Sequence, residues 1–244
     1  MISLSGVSKR YGDQVALETT DINFETGITS ALIGPSGCGK STILRLTMGL
    51  IPPTTGSIKI ADELMTPTTA IKLRQKIGYV NQDGGLFPHL TAERNATLMA
   101  RYLGQTETSF RLRLVELAQL VRFPVDLLAR YPLELSGGQR QRVGIMRALM
   151  LDPELLLLDE PMGALDPLVR AGLQDDLKSI CAKLGKTVIL VTHDMAEAAY
   201  LAQTIVILNQ GAVVQNGTLE DLKSMPASTF VTEFLHSQRG LDLL

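Results

Sequence analysis

The apolar positions of this chain change their rhythm along its length. Residues 2–33 read as short strands, broken by turn signals at Gly12-Asp13 and Gly27. Residues 28–33 predict a buried strand that ends in a glycine-rich loop. A helix is expected over about 39–50, where Pro52-Pro53 prevents its continuation. Two further strands are expected near 57–61 and 76–80. From about 84 to 151 the spacing becomes helical. Thr91 is placed to cap a helix over 92–103, with Gly104 ending it, and another fits 107–120, where Leu114, Leu117, Ala118 and Val121 share a face. A third helix begins near Gly137.

Beyond Pro153 strands alternate with helices again. Residues 155–158 form a short apolar run. Asp166-Pro167 makes a strong helix start, with Asp as N-cap and Pro at the first helical position. Val169, Leu173, Leu177, Ile180 and Leu184 then recur at steps of three and four until Gly185. Residues 187–192 read as a buried strand, and 205–208 with 212–215 as a hairpin through Asn209-Gln210-Gly211. Such alternation implies an α/β fold with a mainly parallel sheet covered on both faces, interrupted by an inserted helical subdomain.

Composition adds exclusions. A chain of 244 residues supports one large domain with a sizeable core, and its 45% hydrophobic content is that of a folded globular protein. A net charge of −2 supplies no general pull toward nucleic acid or anionic lipid. Two cysteines, Cys38 and Cys181, give neither a disulfide framework nor zinc spacing, and fit a reducing compartment. The uncharged run between Glu197 and Glu220 is broken by Gln203, Asn209, Gln210, Gly211, Gln215, Asn216 and Gly217, which makes it a poor membrane span. Any service to a membrane therefore requires docking through another chain.

Gly34-Pro35-Ser36-Gly37-Cys38-Gly39-Lys40-Ser41 matches G-x-x-x-x-G-K-[ST] between an expected strand and an expected helix, with Thr42 following. Glycines let backbone N–H groups converge on phosphate oxygens, and the helix N-terminus adds its positive end. Lys40 is suited to neutralise β- and γ-phosphate charge, and Ser41 to offer its hydroxyl to Mg²⁺. This motif alone leaves kinases, GTPases and motors open. Leu155-Leu156-Leu157-Leu158-Asp159-Glu160 narrows the field. Its strand ends in a carboxylate at the sheet edge where nucleotides sit in α/β folds. Asp159 is placed to hold Mg²⁺ and Glu160 to polarise an attacking water. An Asp-Glu pair after a core strand is by itself common.

Leu135-Ser136-Gly137-Gly138-Gln139 carries the decision. Ser136 can cap the helix that follows, and the two glycines expose the amides at its start, making a second phosphate-binding end. Here the sequence resembles the ABC ATPase family, whose signature is this pentapeptide. The resemblance implies a P-loop NTPase core of the RecA-like kind, an N-terminal antiparallel β subdomain and an inserted α-helical subdomain. It places the ATPase domain at 2–236, with core and β subdomain at about 1–83 and 152–225, helical subdomain at about 84–151 and a short tail at 226–244. It also implies ATP and Mg²⁺ as ligands and a head-to-tail second copy whose Ser136–Gln139 segment meets the γ-phosphate. Transmembrane permease subunits, a solute-binding protein and a place at the cytoplasmic face of the membrane follow from the same resemblance, with no nucleic-acid partner.

Single residues take their roles from the same source. Tyr11 suits the aromatic that stacks on adenine. Gln82 suits the glutamine that senses Mg²⁺ and water. Gly163-Ala164-Leu165-Asp166 suits the loop that crosses the dimer interface, and His193 the histidine that contacts the γ-phosphate. A lone histidine at a strand end is otherwise usually structural, and a lone Tyr near a turn usually a packing aromatic. Gln82 through Thr91, Pro161 through Arg170 and the Phe230-Val231-Thr232-Glu233-Phe234 ending look like importers of osmoprotectants and related quaternary amines. Many of those carry a C-terminal pair of CBS domains. This sequence resembles the members without them, and no ionic-strength switch of its own is expected. Phe87-Pro88-His89-Leu90-Thr91 also occurs in sugar, polyamine and iron importers, so an importer ATPase for another small solute stays open. Two rival classes are a non-transport ABC ATPase and a P-loop kinase. The first usually brings coiled-coil insertions or paired cassettes, and the second lacks the Leu135–Gln139 signature.

Overall fold

The computed structural model describes residues 1–82, 84–163 and 165–237. In chain order these form β1 (Ile2–Tyr11), β2 (Gln14–Phe24), β3 (Thr29–Ile33), α1 (Lys40–Thr47), β4 (Thr55–Ile60), β5 (Glu63–Leu64), α2 (Ala70–Arg74), β6 (Ile77–Val80), α3 (Ala92–Ala96), α4 (Leu98–Tyr102), α5 (Glu107–Leu120), α6 (Gly137–Leu149), β7 (Leu155–Asp159), α7 (Pro167–Leu184), β8 (Thr187–Val191), α8 (Met195–Leu201), β9 (Thr204–Asn209), β10 (Ala212–Gly217), α9 (Leu219–Ser224) and α10 (Thr229–Ser237). The chain divides into two compact units, one of Met1–Arg74 with the segment from Thr187 onward, the other of Gln75–Lys186. The described residues form an α/β arrangement together with a four-stranded antiparallel sheet, as the sequence leads one to expect.

In the first unit, β1 pairs antiparallel with both β2 and β4, in the order β2-β1-β4-β5. Ile2 lies opposite Phe24 on one side and Ile60 on the other, and all three are buried. The strands run longer than the short ones expected because a single face stays apolar through Ile2, Leu4 and Val7. A second set of strands runs β10-β9-β3-β8. Here β3 is parallel to both neighbours, with Ala31 opposite Leu190 and Ile205, and every residue of β3 and β8 is buried. That burial on both faces explains their near-continuous apolar sequences. The expected hairpin is present as β9 and β10, turning through Gln210 and Gly211, both at positive φ. Part of the segment read as a tail is α10, whose Val231 and Leu235 are buried in a cluster with Ala31, Ile205 and Met195. Residues 238–244 lie outside the described residues.

In the second unit, β6 runs parallel to β7, with Val80 opposite Leu158. α6 lies close over β6: a Cβ on Gly78 would stand 2.5 Å from the Ala148 carbonyl oxygen. Leu114, Leu117, Ala118 and Val121 form the expected inner face of α5 and are buried. The helix expected over 92–103 is two helices, α3 and α4. Thr97 has φ −92° and ψ 3°, and its hydroxyl donates to the Glu93 carbonyl while accepting from Arg101 Nε. The Glu93 carbonyl also accepts the Thr97 N–H at 2.9 Å, so the division falls where the Thr97 backbone leaves helical φ/ψ rather than where a backbone bond is lost. α7 starts as expected, with Asp166 accepting from the Val169 N–H at 3.1 Å, and ends at left-handed Gly185. Buried Asp176 on α7 pairs with Arg142 of α6 and, at 3.2 Å, with Arg122. Two guanidinium groups thus compensate one desolvated carboxylate, the condition under which a buried charge is tolerated.

Candidate functional site

The phosphate loop is built where β3 stops. Gly34 follows with φ 150°, and a Cβ there would stand 2.1 Å from the Leu208 carbonyl oxygen. Gly39, immediately before α1, has φ 108°, and a Cβ would stand 2.8 Å from the Ala16 carbonyl oxygen. Both positions need glycine for conformation and for space. Pro35, Ser36 and Gly37 are exposed at the crest, Cys38 is buried, and Ser41 and Thr42 are half-buried in the first turn of α1. That helix has no side-chain cap, so its first N–H groups remain for an anion. Lys40 is only 7% exposed, and its ammonium donates to the carbonyls of Gly34 at 2.7 Å and Pro35 at 3.0 Å. The loop therefore holds its own cation within reach of whatever its amides bind.

Tyr11 ends β1 opposite Gln14, half exposed, with Lys9 Nζ 5.0 Å from its ring centre. Two residues past Gln14 is Ala16, whose carbonyl crowds Gly39, so the tyrosine hairpin adjoins the phosphate loop. His193 is exposed just past β8. The backbone on either side of it is fixed. The Thr192 hydroxyl donates to Glu197 at 2.7 Å and accepts the Asp194 N–H at 3.0 Å, while Asp194 caps α8 through Ala196 and Glu197.

The remaining expected residues lie in the second unit. Buried β7 delivers Asp159 at its end, and the Tyr79 hydroxyl donates to Asp159 Oδ2 at 3.1 Å. Glu160 follows at φ 46°, a left-handed conformation that a side chain with Cβ adopts at some strain. The point where a Cβ would stand on Gly163 is 3.5 Å from both Gln82 Nε2 and Glu160 Oε2. The two side chains thus flank one small space that glycine leaves open. Ala164 and Asp83 lie outside the described residues.

Ser136 caps α6 as its sequence predicts. Its hydroxyl accepts the Gln139 N–H at 3.2 Å, and Gln139 Oε1 accepts the Ser136 N–H at 2.8 Å. Gly138 admits Val169 of α7, whose Cγ1 lies 2.5 Å from where a Cβ would be. The capped glycine start is therefore seated directly on the helix that follows Asp166.

Sequence reasoning missed three residues of this neighbourhood. Tyr79 carries no local motif. Arg147 donates to the carbonyls of Gly85 at 2.8 Å and Gly84 at 2.7 Å, and burial lowers its pKa below the usual guanidinium value. Gly144, inside α6, approaches Gly84 so closely that a Cβ would stand 3.0 Å from its Cα. A glycine within a helix is the signal that was available for it.

A protein-family model described as ABC transporter matches residues 17–163. A glycine betaine/carnitine/choline transport ATP-binding protein of Bacillus subtilis is 45% identical over 240 residues, covering 98% of this chain and 63% of that protein. This chain thus spans less than two thirds of that relative's length. A glycine betaine uptake system ATP-binding protein of Escherichia coli is 42% identical over 245 residues, covering 100% of this chain and 80% of its own length. Among solved structures, a dimeric post-hydrolysis state of an ATP-binding cassette with ADP and Pi superposes with a TM-score of 0.80 at 34% identity. That alignment covers 90% of this chain and 99% of the other.

Proposed function

This chain belongs to the ABC transporter family, and on that premise we propose that it binds and hydrolyses ATP as the motor subunit of an importer. The observation that carries this reading is the presence of two differently built glycine-rich helix starts in one chain, each suited to a phosphate. One is the Gly34–Lys40 loop with its ammonium held in place, and the other is the Ser136-capped start of α6. A single nucleotide needs the first; the second serves the nucleotide of another copy. Two copies meeting head to tail therefore complete two sites.

Within such a site the roles divide by chemistry. Amides of the loop and of the start of α1 hold the phosphate chain, and Lys40 leaves its loop carbonyls for the β- and γ-phosphates. Tyr11 offers its exposed ring to adenine. The partner copy's Ser136, Gly137 and Gly138 approach the γ-phosphate, with Gln139 closing the cap. Glu160 accepts a hydrogen bond from the attacking water and orients it, and His193 holds the γ-phosphate in the closed state.

Ser41, Gln82 and Asp159 offer hydroxyl, amide and carboxylate oxygens, hard donors that suit Mg²⁺. Among the described residues no group of three or more His, Cys, Asp or Glu gathers as a metal site. Few protein ligands, with phosphate and water oxygens completing the set, is the usual pattern for Mg²⁺. When bound there, Mg²⁺ supplies charge neutralisation at the transferring phosphoryl group.

Among the described residues no helix is long and apolar enough to cross a membrane. We place the subunit peripherally, at the cytoplasmic face, under transmembrane permease subunits fed by a solute-binding protein. The names of the relatives support a quaternary-amine osmoprotectant such as glycine betaine, carnitine or choline as cargo. Reconstitution with the permease and binding protein in ATP-loaded vesicles tests this by uptake of labelled glycine betaine. ATP hydrolysis without uptake of any of the three amines rejects the cargo, and absence of hydrolysis rejects the site.

A further inference from the structure

The Gln82 segment is held by one helix. Asn81 opens a tight turn there: its carbonyl accepts the Gly84 N–H at 2.9 Å, and its side chain accepts the Gln82 N–H at 2.9 Å. Gly84 and Gly85 follow at φ 72° and 55°. Their carbonyls point at the guanidinium of Arg147, which donates from Nη2 to Gly84 and from Nη1 to Gly85. A planar fork on two successive carbonyls fixes direction as well as distance, which an ammonium does not.

The same helix fits the turn along a stripe. Arg140, Gly144 and Arg147 of α6 are spaced at i, i+4 and i+7 and share a face. A Cβ on Gly84 would stand 3.0 Å from the Arg140 carbonyl oxygen, and a Cβ on Gly144 3.0 Å from the Gly84 Cα. Backbone thus rests close on backbone, and glycine on both sides leaves the room for it. The same helix begins at the Ser136 cap. Ser136 lies eleven residues before Arg147, about 16 Å along the axis and three turns away, so on nearly the same face.

We propose that Arg147 is a positioning residue for Gln82, and that α6 makes one rigid piece of the Gln82 turn and the Ser136 cap. The inference rests on the ATPase reading above and deepens it. In that reading Ser136 faces the γ-phosphate of the other copy, while Gln82 faces the water and metal of its own. A helix that grips the Gln82 turn couples the arrival of a partner's phosphate to the placement of this glutamine. The plain alternative is that Arg147 merely staples a loop for stability.

Three measurements on the full chain separate the two. In hydrogen–deuterium exchange without nucleotide, Arg147→Lys should speed exchange in peptides covering residues 84–87 about tenfold while residues 137–149 stay protected. In steady-state ATP hydrolysis, Arg147→Lys should lower kcat at least tenfold with the affinity for ATP within twofold of the parent, since the phosphate loop is untouched; a misplacement of about 1 Å can lower a rate about a hundredfold. In a Gln82→Ala background, Arg147→Lys should change kcat by less than twofold.

Gly144→Ala serves as the second variant if Arg147→Lys does not fold. Alanine favours the helix over glycine, yet its methyl pushes the Gly84 backbone. It should therefore keep or raise thermal stability while speeding exchange at residues 84–87 and lowering kcat. Unchanged exchange at residues 84–87, or full additivity with Gln82→Ala, overturns the positioning role. A parent chain that does not hydrolyse ATP overturns the underlying reading instead.

Discussion

The hydroxyl of Tyr79 donates a hydrogen bond to Oδ2 of Asp159 at 3.1 Å, across the parallel pair β6 and β7. Tyr79 lies opposite Leu157, two residues before the carboxylate, so the ring reaches along the strand to orient the group assigned to Mg²⁺. Hydrogen bonds to charged groups contribute about 1.5–3 kcal/mol. Tyr79→Phe should therefore lower stability by about 1–2 kcal/mol in urea denaturation. Hydrolysis should fall less than tenfold, because the carboxylate itself remains. A loss of the order expected for Asp159→Ala would show that Tyr79 acts in the chemistry rather than behind it.

Glycines of the phosphate loop should differ in what they tolerate. Gly39 has φ 108° and a backbone oxygen 2.8 Å from any added Cβ, whereas Gly37 has φ 79° and nothing within 4 Å. Gly37→Ala carries only the conformational strain, about 1–2 kcal/mol. Gly39→Ala adds a clash with the Ala16 carbonyl that backbone must relieve, and should lower stability by about 3 kcal/mol or more. Parallel denaturation of the two variants checks the order, and equal effects would contradict the crowding at Gly39.

The ladder of apolar residues made much of this legible from sequence. Residues 28–33, 155–158 and 187–192 announced β3, β7 and β8 because strands buried on both faces need continuous apolar runs. Asp166-Pro167 and Ser136 announced helix starts because capping is local chemistry, and both caps form as read. What the sequence concealed depends on tertiary contact. The Tyr79–Asp159 bond and the grip of Arg147 on Gly84 and Gly85 join residues about 80 and 60 positions apart, and no local spacing records such distances.

Cys181, on α7, should be chemically quiet at physiological pH. Burial pushes its thiol from the usual 9.0 up to about 11, because the low-dielectric surroundings disfavour the thiolate. At pH 8 only about one thiol in a thousand is then ionised. Iodoacetamide labelling followed by mass spectrometry should find Cys181 largely unmodified at pH 8 in the folded chain and fully modified in denaturant. The sign for stability follows. Because the folded value is the higher, this group's contribution is complete below pH 9 and is lost as the pH climbs toward 11. Cys181 is half-buried, and rapid labelling of the folded chain at pH 8 would contradict its raised pKa.

The central claim is that each nucleotide is enclosed by the loop of one copy and the Ser136 cap of another. Light scattering during size-exclusion chromatography of the Glu160→Gln variant with ATP tests it most directly. Removing the carboxylate proposed to orient water should preserve ATP binding and block the opening that follows hydrolysis. The account predicts a particle of twice the 26.5 kDa chain with ATP present, and a monomer once Ser136→Arg is added, because the arginine destroys the cap and fills the space meant for phosphate. A Glu160→Gln, Ser136→Arg chain that still forms the dimer with ATP would contradict the shared site.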